Sequence, residues 1–363
     1  MPSFAPKRVA AAALAAALVI LAIFLSLHFS RASRDSARSE LLAFVPPDAT
    51  SVVFIDLDQL RASPFLATLY AWAPNPAEDA DYTQFVAETG FRYERDLAQV
   101  FVAVANHGPS SSTLALARGK FDRKKMEAYF GRNATPFEQG TQKVFRFPAK
   151  PNGREKAMSL AFLSDERIAI SDSEKLAQVL GSAETPSGRA EWQRRFDRLA
   201  GSPFFAVIRQ DPAVETLLAG QSPQLASFIR QLPWITVAAK PEEDMVRVVA
   251  EGETLTDTAA SQLRDFLEGI QLLAQSGLDD PELRLRMKPE ERDAYVELVK
   301  ETEIEKIDRR EGKAVRVILP ITPRLLKIAK FPRVGAAPDS AVPPTPGDKR
   351  KPPSRQAKPA KSN

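Results

Sequence analysis

An uninterrupted apolar run, Val9 to Phe29, constrains this chain more than any other feature. It contains no Asp, Glu, Lys or Arg. Lys7 and Arg8 precede it, and Arg31, Arg34 and Arg38 follow. At about 1.5 Å per residue a helix over this run is roughly 31 Å long, which matches the bilayer hydrocarbon core of about 30 Å. Such a helix satisfies its own backbone hydrogen bonds and can cross lipid alone. A cleaved signal peptide is the competing reading, with Ser30-Arg31-Ala32 as a small-x-small cleavage site. The apolar core of such peptides is only about 7–15 residues long, so the length favours an uncleaved anchor at residues 9–29. The flanking positive charges nearly balance, and long domains translocate largely regardless of them. A short leader before a large domain is a signal-anchor arrangement, with residues 1–8 in the cytoplasm and the body outside it.

The net charge of +4 is unevenly distributed. Residues 331–363 carry +5 and residues 1–40 carry +3; subtracting both from the whole leaves −4 on residues 41–330. Nucleic-acid binding needs a basic surface on the folded part, so no nucleic-acid partner is expected. The tail, 331–363, is dense in Pro, Ala, Lys and Ser, and no large apolar residue follows Val342. It cannot bury enough surface to offset its ordering entropy. It reads as disordered, either a solubilising extension or a polybasic contact for an anionic polymer or lipid headgroups. The chain has no cysteine, which suits an oxidising compartment.

Between the juxtamembrane linker, 30–44, and the tail, strand and helix patterns alternate. Ser51–Leu57 is rich in β-branched residues and reads as a strand. Helices are expected over Leu60–Trp72 and Ala80–Glu88, then strands over Val100–Val104 and Thr113–Arg118. Asp122 is a good N-cap for a helix through Phe130. Val144–Phe147, Met158–Leu163 and Ile168–Ser171 read as strands, and Ser171 or Ser173 caps a helix through Leu180. In the second half, Phe204–Ile208 reads as a strand, and Val214–Leu218 and Leu225–Leu232 as helical. Trp234–Ala239 and Met245–Glu251 form a hairpin. A long helix, Thr256–Ser276, places Leu263, Phe266, Leu267, Ile270, Leu273 and Ala274 near a 3.6-residue period, with Gly277 as its stop. A helix over Glu290–Lys300, a hairpin of Ile304–Asp308 with Ala314–Leu319, and a helix from Pro323 to Ala329 complete the body. The shared order of elements points to two related α+β halves, 45–185 and 186–330, with mainly antiparallel sheets; convergence on a common layout is the alternative.

Little chemistry is available. The body holds one histidine, His107, so thiolate and multi-histidine metal sites are excluded. A triad would have to be built on His107, and the neighbouring Ser110, Ser111 and Ser112 do not make one. Asp56 and Asp58 stand two apart and could share a strand face, bind a cation or divide acid and base roles. The plainer reading makes Asp58 a helix N-cap. Glu242-Glu243-Asp244 reads as a solvated hairpin tip, and Asn133-Ala134-Thr135 as a glycosylation sequon relevant only with eukaryotic processing. Trp72, Trp192, Trp234, Phe204 and Phe205 read as core, although the long apolar faces could line a groove between the halves. No catalytic, cofactor-binding or metal-binding residue is assigned, and no cofactor is expected.

Val45-Pro46-Pro47-Asp48, the strand ending in Asp56, Leu60 and Ser63-Pro64 resemble the opening of a bacterial family of single-pass membrane-anchored proteins. Its extracytoplasmic body is a repeated α+β domain of unknown function. Gly119-Lys120-Phe121-Asp122 before a helix is similar to a second element there. The resemblance spans most of residues 41–330 and implies topology without an activity. The expected protein is therefore a non-enzymatic inner-membrane protein with a periplasmic or otherwise extracytoplasmic body, serving binding or envelope assembly. Its partners would be the membrane through 9–29, and a protein or an anionic envelope polymer or lipid through the tail. A hydrophobic-ligand or lipid carrier is the alternative, and a carboxylate enzyme a third.

Overall fold

Among the described residues, successive runs of β-branched and aromatic residues pair antiparallel into one twelve-stranded sheet. The computed structural model describes residues 44–64, 80–107, 110–140, 142–148, 157–172, 176, 186–210, 227–309 and 312–328. The anchor at 9–29, the linker up to residue 43, Trp72, most of the helix expected over Leu60–Trp72, most of that over 173–180, Val214–Leu218 and the tail lie outside them.

The strands are β1 (Ala49–Asp56), β2 (Leu97–His107), β3 (Ser110–Gly119), β4 (Thr135–Gln139), β5 (Gln142–Phe147), β6 (Met158–Ser164) and β7 (Arg167–Ser171), followed by β8 (Phe204–Arg209), β9 (Trp234–Glu242), β10 (Met245–Thr254), β11 (Glu303–Arg309) and β12 (Gly312–Ile321). Across the sheet they run β11-β12-β10-β9-β8-β1-β2-β3-β7-β6-β5-β4. Outward from the β1–β8 pair, each side runs through its first, second and third strands and then its last. The helices among the described residues are α1 (Leu57–Arg61), α2 (Ala80–Thr89), α3 (Tyr93–Asp96), α4 (Arg123–Asn133), α5 (Pro186–Arg198), α6 (Asp257–Asp279), α7 (Pro281–Arg286), α8 (Pro289–Glu301) and α9 (Pro323–Ile328).

Side chains alternate between the two faces of a strand. On the first face Val52, Phe54, Phe101, Leu114, Leu116, Phe205 and Val207 form one buried cluster with Trp192 and Phe196 of α5. Val45 and Phe44, just before β1, also pack there. The two stretches of sequence on either side of residue 185 therefore share one core. Phe54 and Phe205 stack at 5.1 Å between ring centres, and Trp192 meets Trp234 edge to face at 4.9 Å. On the second face α4 covers the β5–β7 side, with Met126 and Phe130 against Phe145, Leu160 and Ile168. There α6 covers the β11–β12 side, with Ala260 and Leu263 against Val315 and Ile304.

Two glycines mark close approaches. A Cβ on Gly119 would lie 2.5 Å from the Asp96 carbonyl, and one on Gly252 would lie 2.8 Å from Leu232 Cδ1. Near the β11 edge, the first face turns polar. Glu251 is buried, and its Oε2 accepts from Arg309 at 2.6 Å and Arg316 at 3.3 Å. Arg195 lies 3.8 Å above the Trp234 ring and pairs with Glu253.

Three expectations are corrected. The helix expected to stop at Gly277 runs on to Asp279. It ends there because Pro281 disfavours helical geometry in the residue before it. Asp280 turns out to cap α7, accepting from Glu282 N–H at 2.7 Å and Leu283 N–H at 3.1 Å. The apolar stripe of α6 is not buried throughout: Ile270 and Leu273 are 45 and 73% exposed, and Leu272 beside them 66%, before Leu278 is buried again. Helix α5 has no counterpart in the sequence reading. It is dense in arginine, which masks the Trp192 and Phe196 pair spaced one helical turn apart.

Trp192→Ala removes a side chain that is 1% exposed, so it is expected to cost about 3–5 kcal/mol. Leu272→Ala should stay within about 0.5 kcal/mol. Urea unfolding of the two variants checks both values.

Candidate functional site

Two features compete as sites: a cleft containing the carboxylates singled out from the sequence, and a half-buried apolar part of the second sheet face. The cleft, of 650 Å³, lies at the end of β1 and is lined by Asp56, Asp58, Arg118, Lys120, Asp122, Asp165 and Glu166 among others. β1 ends at Asp56 and α1 begins at Leu57, so Asp56 and Asp58 do not share a strand face. Asp56, not Asp58, is the N-cap: its Oδ1 accepts from Gln59 N–H at 2.9 Å. Its Oδ2 accepts from Gln99 Nε2 at 3.1 Å, and the residue is 2% exposed. Asp58 is exposed and pairs with Arg61 at 2.5 Å.

The other carboxylates of the cleft are engaged as well. Asp122 caps α4 as expected from the sequence, accepting from Lys125 N–H at 3.2 Å. That hydrogen bond is the main reason its carboxyl is held below the ordinary value of 3.8. Asp165 pairs with Arg123 and Glu166 with Arg118, each at 3.7 Å. A metal or an acid–base pair needs carboxylates free to converge on one point. Among the described residues no group of three or more His, Cys, Asp or Glu side chains does so.

The remaining sequence candidates have structural surroundings. The backbone of His107 pairs with that of Ser110 at the end of the β2–β3 hairpin; the side chains of His107, Ser110 and Ser111 lie outside the described residues. Asn133, in the sequon, donates its side-chain amide to the Tyr129 carbonyl at 2.9 Å. Glu243 adopts a φ of 53° at the β9–β10 turn, and Glu242 pairs with Arg247 at 3.1 Å. Trp192, Trp234 and Phe205 are buried as core.

Phe204 is different. It belongs to the second face, where the ladder aligns three rows across β2, β1, β8 and β9. These rows are Val104-Ser51-Ile208-Ile235, Val102-Val53-Ala206-Val237 and Val100-Ile55-Phe204-Ala239. Eleven of the twelve positions are apolar and all are half-buried. Only the outer members Ile235 and Ala239 join a buried cluster among the described residues. The rows sit between the part of the sheet covered by α4 and the part covered by α6. The groove between the halves, read from the sequence along helix faces, has no counterpart among the described residues of this face. The sequence signal for these rows is that Val52-Val53-Phe54-Ile55 and Phe204-Phe205-Ala206-Val207-Ile208 are apolar on both strand faces.

No family model and no curated protein matches the chain. Three crystal forms of TP0453 are similar in structure. Form III has a TM-score of 0.42 at 10% identity, over 79% of this chain and 95% of that one. Form IV gives 0.43 at 12% over 79 and 94%, and form I gives 0.42 at 9% over 78 and 94%. No described helix is long and apolar enough to cross a membrane.

The structural role of the acids fixes their response to pH. Asp96 is held below 3.8 mainly by the hydrogen bond from Arg95 and, less strongly, by that from Arg92 N–H. A carboxyl depressed on folding stabilises the fold above its unfolded value, and the contribution is lost as pH falls through the folded value. Stability is therefore expected to decline below about pH 4. Asp96→Asn should flatten that decline in urea midpoints measured at successive pH. Asp56→Ala should cost about 1–2 kcal/mol through the lost cap and leave binding of added Mn²⁺ by the protein unchanged in calorimetry.

Proposed function

We propose that this chain is a non-enzymatic binding module, held at a membrane by residues 9–29 with its body on the extracytoplasmic side. One observation carries the binding reading: the apolar rows of the second face, centred on Val53 and Ala206, in a body whose cleft carboxylates serve as caps and ion-pair partners. The length of the Val9–Phe29 run and the resemblance to a membrane-anchored family support the anchor. The matching strand order outward from β1 and β8 supports reading the two halves as divergent copies. In this reading the basic tail makes a secondary contact with an anionic envelope polymer or lipid headgroups.

Protease added to intact spheroplasts tests the topology. The expected result is digestion of residues 41–330, with the undigested chain running at full length in the membrane fraction. A protected body would place it in the cytoplasm and overturn the orientation. A shortened, soluble chain would overturn the anchor.

A further inference from the structure

Helices α6 and α7 carry most of the large apolar side chains that face solvent. Seven such side chains are exposed among the described residues, and four of them, Ile270, Leu272, Leu273 and Leu285, belong to this pair. Leu273 is 73% exposed and Leu285 89%. Leu272 and Asp279 are seven residues apart, close to two turns, and so share one side of α6. Asp279 pairs with Arg284 at 3.0 Å, which brings α7 and Leu285 to that side. Grouped apolar exposure on a folded chain marks a surface that meets a partner.

Topology places this surface. Asp257, at the start of α6, pairs with Lys306 of β11 at 2.9 Å. By Gln271 the helix has reached the beginning of that strand. There its side-chain amide donates to the Val299 and Thr302 carbonyls at 2.7 and 2.8 Å, just before Glu303. Residues 272–286 therefore project past that end of the sheet. One ladder row runs at this level from Glu303 through Phe205 and Phe54 to Phe101 and Leu116. Phe44 packs at the far end of the same row, beside Phe101 and Leu116. The chain that arrives from residues 9–29 thus enters the body at the end of the sheet from which α6 and α7 project. From Phe29 to Phe44 it spans at most about 50 Å.

The residues around the exposed leucines suit a bilayer. Arg284 and Arg286 stand on either side of Leu285, with Lys288 just beyond, and the two arginine side chains are 48 and 79% exposed. Long basic side chains lay their stems in hydrocarbon and keep the charge at phosphate level. The nearby acids are engaged: Asp279 with Arg284, Glu282 with Arg286 at 3.7 Å, and Asp280 as the cap of α7.

We infer that the tip formed by Leu272, Leu273 and Leu285 dips into the interface of the bilayer that holds residues 9–29, and gives the body a second membrane contact. The inference rests on the reading of residues 9–29 as an anchor.

The chain has no cysteine, so Leu273→Cys, Leu285→Cys and Leu25→Cys each place one environment-sensitive fluorophore at a known site. Leu255→Cys is the control. Leu255 is 81% exposed, but it follows Thr254 at the opposite end of the sheet, where β10 pairs with Lys313. The full-length variants are reconstituted into vesicles of phosphatidylcholine and phosphatidylglycerol, with or without lipid that carries a nitroxide on its acyl chain. Positions 273 and 285 are expected to give blue-shifted emission that is mostly lost with the nitroxide lipid. Position 255 should give red emission that the nitroxide lipid leaves intact. Leu272→Asp combined with Leu285→Cys should abolish the quenching at position 285. Blue-shifted emission without quenching at 273 and 285 puts the leucines against protein, in this chain or a second copy, and overturns the inference. Red, unquenched emission there overturns it as well. In both cases quenching at position 25 leaves the anchor standing; its absence overturns the anchor itself, whatever the tip shows.

Discussion

The structure depends on the antiparallel ladder between β1 and β8. It joins strands separated by most of the first half of the body, and its register fixes both faces of the sheet at once. Val52 opposite Val207 and Phe54 opposite Phe205 face the shared core; Val53 opposite Ala206 and Ile55 opposite Phe204 face the other way. A slip of one residue would exchange the two sets. The Phe54–Phe205 stack, closed over by Phe196 at 5.0 Å from Phe205, is the contact that makes the observed register favourable. Burying one such ring contributes about 1.5–3 kcal/mol.

Both margins of the sheet oppose the addition of a further strand. An exposed strand edge is a template for pairing with another chain. The edge strand β4 is short and contains Pro136, which cannot donate to a ladder. The opposite edge, β11, alternates Glu303, Glu305, Lys306, Asp308 and Arg309 with isoleucines, a charge pattern that opposes strand addition. The rim cleft is polar, but its acids hold helix ends and arginines in place. Between the parts of the second face covered by α4 and α6, the central strands carry half-buried apolar rows.

Much of the local structure was legible because it rests on short-range chemistry. Asp122 as a cap, the start of α6 within a residue of Thr256, and the β9–β10 and β11–β12 hairpins follow from neighbours a few residues apart. Asp56 and Asp58 show the limit. Either could cap the helix by composition, and the choice fell to Asp56 because β1 pairs with β2 as far as Gln99, whose side-chain amide meets the second oxygen of Asp56. Helix α5 escaped notice for a related reason: its arginines look solvent-bound, yet Arg195 is buried against Trp234.

The sequence by itself determined an α+β body with antiparallel hairpins, the Asp122 cap that starts α4, a lack of thiolate and multi-histidine chemistry, and an apolar run of membrane-spanning length. Those features follow from residue identity and local spacing. Only the tertiary structure decided that the strands form one sheet, that Asp56 is spent on a cap, and that on the central strands the valines and isoleucines of the second face are half-buried while Val52 and Val207 of the first are fully buried. An apolar side chain in a strand carries no local mark of whether a helix covers it. That depends on where distant elements pack, and α4 and α6 pack to either side of the central strands.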